Sequence, residues 1–318
     1  MTFTDLTLGY YLVDTSLGSL CSLDTTAPSV TIKEKNSDTT IEKKIVITGD
    51  EKVDSNSAGI GDTVNFSITI TVKDGAPKGY VLHDKLSGLT FDPNSLEVKV
   101  GTTTLTANTD YTLETNPADG DSFDVKFKDG KLKTNDVVVV TYSATVAANA
   151  TIAGAGNKNT AKLVYNEKDS TKEETTTYVW KLNVHKYALD STNHEVALSG
   201  AKFVLYRMDN GVKKYAKLTN KKIVGWVTDK DNATTLETSG TGDILIEGLN
   251  VGTYYLEETE APVGYNKLTE PIEVEITATT SVTSGSETVQ YKNSSETSYT
   301  PATDATVKVL NNAGTQLP

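Results

Sequence analysis

Residues Thr63-Val-Asn-Phe-Ser-Ile-Thr-Ile-Thr-Val72 alternate apolar and polar side chains. In an extended chain successive side chains point to opposite faces, so Val64, Phe66, Ile68 and Ile70 line one face and mark a strand covered on one side. Asp136-Val-Val-Val-Val-Thr-Tyr-Ser-Ala-Thr-Val146 and Phe203-Val-Leu-Tyr206 read the same way, between turn pairs such as Asp129-Gly130 and Asn210-Gly211. No stretch of a dozen residues keeps an apolar stripe at helical spacing. The chain is expected to be all-β, built of sandwich domains.

The length of 318 residues suits two such domains, and 37% hydrophobic against 23% charged residues provides each with a core. A polar segment from Asn166 to Thr177 separates two sets of strands and sets one boundary near Trp180. A second boundary falls near Pro28. The expected layout is a carboxy-terminal remnant of a preceding domain at 1–28, immunoglobulin-like sandwiches at 29–179 and 180–312, and a tail at 313–318. Met1 is followed at once by strand-like sequence without a signal peptide, as expected of a start inside a longer protein.

A net charge of -12 argues against nucleic acid and anionic membrane as partners, and the longest apolar runs, such as Val137 to Val140, are too short to span a bilayer. The single Cys21 excludes an intrachain disulfide framework. His83, His185 and His194 form no spaced zinc motif, so neither metal nor cofactor is expected. A serine-elbow motif is absent, Gly154-Ala-Gly156-Asn-Lys158 lacks phosphate-loop spacing, and Asp229-Lys-Asp231-Asn232 is a fragment of a calcium loop. A hydrolytic or metal-dependent enzyme is therefore disfavoured. The abundance of Thr, Ser, Asn, Asp and Gly gives the chain an extracellular texture.

Six polar residues fall in step with apolar neighbours. Lys43 shares a face with Ile41 and Ile45, Asp84 with Leu82 and Leu86, and Asn159 with Ala161, Leu163 and Tyr165. Further along, Lys186 follows Leu182 and Val184, Glu258 follows Tyr254 and Leu256, and Asn311 follows Val307 and Val309. Each domain thus offers a lysine, an acid and an asparagine in the same chain order. Burying an isolated ammonium or carboxylate costs several kcal/mol. One reading is a buried ion pair with the asparagine hydrogen-bonded beside it, or a register one residue out that leaves the groups solvated. The other is chemical. Desolvation lowers a lysine's pKa and yields a nucleophilic neutral amine, and it raises a carboxyl's pKa. A neutral acid bonded to the asparagine carbonyl would polarise it and relay protons to departing ammonia. The product is a Lys–Asn isopeptide bond, made once by the protein on itself.

At these residues the sequence resembles the major (backbone) pilins of Gram-positive, sortase-assembled pili. Gly252-Thr-Tyr-Tyr-Leu-Glu-Glu-Thr-Glu-Ala-Pro-Val-Gly-Tyr265 fits that family's E-box, Tyr-x-Leu-x-Glu-Thr-x-Ala-Pro-x-Gly-Tyr, at every fixed position. The resemblance implies that Glu258 is the catalytic acid of a CnaB-like domain, with Lys186 and Asn311 forming the bond. It implies a CnaA-like domain before it, in which Asp84 takes the acid role and Lys43 and Asn159 are joined. Lys44 and Asn157 are adjacent alternatives there. The chain ends Gln316-Leu317-Pro318, like the opening of a Leu-Pro-x-Thr-Gly sorting signal. Lys35, in Ile32-Lys-Glu-Lys35-Asn36, occupies the place of the family's intersubunit linking lysine, without its Tyr and Pro; Lys33 is second.

The implied function is structural: the shaft subunit of a covalently polymerised pilus on the cell wall. Its partners would be identical subunits joined head to tail, a pilus-specific sortase and ancillary pilins. The chain would be a sortase substrate and not a turnover enzyme. A host-binding adhesin using the same domains as a stalk is the alternative. Lys43 and Asn159 lie 116 positions apart and Lys186 and Asn311 lie 125 apart. Each bond would close a loop worth about 4 to 5 kcal/mol of denatured-state entropy, by analogy with a disulfide.

Overall fold

The computed structural model describes residues 3–13, 19–26, 28–31, 38–73, 77–166, 168–293 and 296–314. Lys33 and Lys35 and the end of the tail at Gln316-Leu317-Pro318 lie outside these residues. The described chain is strands joined by turns, with one short 3-10 turn at Lys230–Asn232.

Near the amino terminus Gly9–Val13 and Ser19–Leu23 form a two-stranded hairpin that pairs with no other strand among those described. Tyr10 and Leu12 are exposed on it. The next unit is two facing sheets. One has Thr40–Val46, Thr63–Thr71, Val137–Val146 and Leu89–Val100 side by side, with short strands at both edges. The other orders Tyr111–Thr115, Phe123–Phe127, Val81–Leu86, Asn157–Tyr165, Glu173–Tyr178 and Ser55–Ser57. Between them the alternating side chains interdigitate: Phe91 of one sheet stacks on Phe123 of the other with ring centroids 4.1 Å apart.

A second core begins at Tyr178 and Trp180 and runs to Val309. Its central strands are Trp180–Leu189, Asp243–Leu249, Lys202–Asp209, Gly252–Glu260 and Ile272–Thr280. The last strand, Thr306–Leu310, runs parallel to the first, with Lys186 opposite Val309. Asn210 and Gly211 both have positive φ, 49° and 81°, which is the type I′ geometry that the Asn-Gly pair predicts for the hairpin between Lys202–Asp209 and Val212–Thr219.

The polar segment expected to separate two sets of strands, Asn166 to Thr177, itself runs into a strand. Glu173–Tyr178 is a strand, antiparallel to Asn157–Tyr165 and parallel to Ser55–Ser57, and Thr175, Thr176 and Thr177 are buried in it. A strand covered on both faces has no alternation to read, and threonine scores as polar although its β-branched side chain packs well in sheets. The two units meet along it. Ala58 N donates to Tyr178 O (2.9 Å), Thr176 Oγ1 to Val282 O (2.7 Å) and the Tyr178 hydroxyl to Ser281 O (3.0 Å). Ile60 N donates to Gly248 O (3.0 Å).

Candidate functional site

All six polar residues that sequence periodicity turns inward are buried, none more than 2% exposed. They gather in two groups, one per core.

In the first, Lys43 comes from one sheet and Asp84 and Asn159 from the other, on adjacent antiparallel strands. The Lys43 ammonium contacts the Asp84 carboxylate and donates to the Tyr142 hydroxyl at 2.6 Å. Tyr142 in turn donates to Asp84 Oδ2 (3.0 Å) and accepts from Asn159 Nδ2 (2.8 Å). One hydroxyl therefore ties amine, acid and amide together. The Lys43 nitrogen sits over Phe66 and Tyr142, 5.4 Å and 5.2 Å from the ring centroids, within an apolar wall. Burial lowers the Lys43 pKa, against the opposing pull of Asp84. The same burial raises that of Asp84, against Lys43, and holds Tyr142 well above its ordinary value. Asp84 Oδ1 and Asn159 Oδ1 are buried without a hydrogen-bond partner among the described residues. Unsatisfied buried acceptors beside a desolvated amine describe a site with free energy to lose on reacting.

The adjacent alternatives go elsewhere. Lys44 turns outward to Asp54 at 2.7 Å. Asn157 is buried but fully engaged: its Oδ1 accepts from Thr151 N (2.8 Å), and its Nδ2 donates to Thr151 O (3.0 Å) and Thr177 O (3.1 Å).

In the second core, Lys186 donates to Asn311 Oδ1 and lies 3.3 Å from Glu258 Oε1. Asn311 Nδ2 donates to the same Glu258 oxygen at 3.2 Å. Glu258 Oε2 accepts from Leu268 N (2.7 Å), which fixes the carboxyl. Three groups close a triangle, with the amine 5.7 Å from the Phe203 ring centroid. Burial lowers the Lys186 pKa to about 8, although Glu258 pulls the other way. The carboxyl meets the amide nitrogen, not the carbonyl oxygen that sequence reasoning had it polarise. A carboxylate only accepts hydrogen bonds, so it orients the NH2 donor toward itself and leaves the carbonyl to the lysine.

Tyr142 is the functional candidate that sequence reasoning missed. It lies in the alternating run Asp136–Val146, in step with Val138, Val140 and Ala144, where an aromatic reads as core. The cue was the polar handle, since a buried tyrosine hydroxyl needs a partner.

This architecture has known counterparts. Residues 180–288 match the SpaA prealbumin-like fold domain family. The backbone protein of pilus 2b from group B streptococcus superposes with a TM-score of 0.64 at 24% identity, covering 86% of this chain and 98% of that one. The full-length major pilin RrgB from Streptococcus pneumoniae gives 0.63 at 17% identity, covering 94% of this chain and 78% of that one. BcpA, the major pilin subunit of Bacillus cereus, gives 0.55 at 19% identity over 96% of this chain and 82% of that one. The fold is that of backbone pilins. No curated protein sequence matches the chain.

Proposed function

We propose that the chain is the shaft subunit of a surface pilus and that each of its two large domains closes a Lys–Asn isopeptide bond on itself. The observation that carries this reading is the pair of buried lysine–acid–asparagine groups at corresponding chain positions. The resemblance in fold to backbone pilins supports the role.

Lys186 has a lowered pKa of about 8, so a usable fraction is neutral near pH 7. Its nitrogen lone pair attacks Cγ of Asn311, and the C–Nδ2 bond breaks. Glu258, already on Nδ2, takes the proton that the amine loses and delivers it to the leaving nitrogen, which departs as ammonia. One amide replaces another, and no oxidant or cofactor is needed. Lys43 and Asn159 react in the same way, with Asp84 as the proton carrier and Tyr142 holding the three groups in place. This is a single turnover, so the chain is a substrate of its own chemistry and not an enzyme.

Assembly would follow from a sortase joining Lys35 of one subunit to the carboxy terminus of the next. That gives an open head-to-tail polymer on the cell wall. Intact-mass measurement tests the internal bonds: the chain is expected to weigh two ammonia molecules less than its sequence. In cells carrying the full-length gene, denaturing gels should show a polymer ladder that Lys35→Ala removes. A parent mass equal to the sequence mass refutes the bonds, and a ladder that survives both Lys35→Ala and Lys33→Ala refutes the linkage.

A further inference from the structure

On the outer face of the Asp84 strand, four ligand-type side chains converge at a place that the crosslinking chemistry does not use. His83 points away from the core that Asp84 enters, as strand alternation requires. Asp124 lies directly opposite it on the neighbouring antiparallel strand. Asp119 and Asp121 come from the turn that leads into that strand, which is closed by Asn116 N donating to Ser122 O (2.9 Å) and anchored by Ser122 N donating to Asp84 O (2.8 Å). His83 Nδ1 is 2.9 Å from Asp124 Oδ1, 3.2 Å from Asp121 Oδ2 and 3.4 Å from Asp119 Oδ2.

Asp124 is the residue that makes this more than an acidic surface cluster. Its side chain is 3% exposed, yet Oδ1 has no hydrogen-bond partner among the described residues, and neither has His83 Nδ1 beside it. The two atoms lie within hydrogen-bond distance of each other without making a hydrogen bond. A protonated imidazole could satisfy one carboxylate at Nδ1, along one direction. Here three carboxylate oxygens surround that nitrogen. The nearest ammonium, that of Lys126, is 4.0 Å from Asp124 Oδ2 and is engaged by Glu114 at 2.5 Å.

We propose that His83, Asp119, Asp121 and Asp124 form a binding site for a first-row divalent transition-metal ion. The three carboxylate oxygens lie 2.9 to 3.4 Å from the imidazole nitrogen, and each such pair would subtend roughly 90 to 110° at an ion about 2.1 Å from both, which suits tetrahedral or octahedral coordination. All four donor atoms lie within 4.8 Å of one another, so a shared shell about 4.2 Å across needs the widest pair to close by about half an ångström. The imidazole nitrogen favours zinc-like ions over magnesium or calcium, which prefer oxygen ligands alone. A bound ion would fasten the 116–122 turn to the strand that carries Asp84.

Titration calorimetry of the tag-free chain with Zn2+, Mg2+ and Ca2+ tests the site. The expected result is one Zn2+ per chain, no comparable heat from Mg2+ or Ca2+, and a rise in the first domain's melting temperature with Zn2+. Asp124→Asn should weaken Zn2+ binding at least about 100-fold, since even residues that only support metal ligands are worth about 10- to 100-fold. Asp119→Asn, at a half-exposed position where folding is not at stake, should also weaken it and remove the thermal shift. Absence of stoichiometric Zn2+ binding, binding undiminished in Asp119→Asn, or Ca2+ bound as tightly as Zn2+ would each overturn the proposal.

Discussion

Replacing Lys186 by methionine isolates what the second crosslink contributes. The thioether fills much of the lysine's space and removes both the nucleophile and a buried cation. Glu258 keeps its bond from Leu268 N and its contact with Asn311. Glu258→Ala would instead leave an unpaired ammonium at a fully buried position, which alone costs several kcal/mol. The proposed bond would close a loop of the 125 positions between Lys186 and Asn311, and losing it would restore denatured-state entropy worth about 5 kcal/mol. For a domain of this size each kcal/mol shifts the melting temperature by roughly 3 to 5 °C, so Lys186→Met should melt about 15 to 25 °C below the parent. Calorimetry gives the transition of the second domain, and intact mass gives its cause. After correction for the substitution, the variant should be one ammonia heavier than the parent. A parent with no ammonia missing, or a Lys186→Met variant that melts within a few degrees of a crosslinked parent, refutes the reasoning.

Tyr142→Phe removes the hydroxyl shared by Lys43, Asp84 and Asn159 while keeping the ring. Mass spectrometry of freshly made protein should show the first domain's ammonia largely retained and the second domain's lost. Asn311→Ala leaves Lys186 unreacted, with its pKa held near 8 against an ordinary 10.5. Between those values the unfolded chain binds the proton and the folded chain does not. Stability measured by denaturant should therefore rise with pH over that window, by up to about 3 kcal/mol relative to Lys186→Met, and a flat or falling difference contradicts it. Gly248→Ala puts a methyl 2.8 Å from Ile60 Cδ1 at a position with φ of +94°, which costs about 1 to 3 kcal/mol of strain at the joint between the two units. Solution scattering should show a more extended, more variable pair of domains, with both crosslinks intact by mass.

Much of the site was legible because strands obey a period of two. Lys43, Asp84, Asn159, Lys186, Glu258 and Asn311 each broke an apolar face, and each is buried. What periodicity could not supply was the third dimension. Tyr142 satisfies the pattern of its strand, so periodicity does not separate it from Val140 and Ala144; its hydroxyl is the one sequence cue, and only the sheet opposite reveals its bonds. Thr175, Thr176 and Thr177 read as part of a polar segment between two sets of strands because both faces of their strand are covered, one by the first core and the other by the second unit. The cluster around His83 joins residues more than thirty positions apart, and its acids look like any solvated turn until the register sets Asp124 against the imidazole.

The positions of the two proposed bonds determine which parts of the chain feel tension. A pull on the ends enters the first sandwich on the Thr40–Val46 strand and meets Lys43 within a few residues. With Lys43 joined to Asn159, force crosses the core through one amide and leaves residues 44–158 unloaded. It then follows the chain to Lys186, crosses to Asn311 and bypasses residues 187–310. The Trp180–Leu189 and Thr306–Leu310 strands are parallel neighbours pulled from opposite ends, a shearing geometry that the second bond takes off the ladder of hydrogen bonds. Between Asn159 and Lys186 no covalent detour exists. That stretch contains the wholly buried run 175–180, braced by Ala58, Ser281 and Val282, with Trp180 Nε1 donating to Ser57 Oγ at 3.0 Å. With both proposed bonds in place, extension would be resisted covalently inside each domain and by packing and hydrogen bonds between them, so residues 175–180 would carry a share of the load that neither bond relieves.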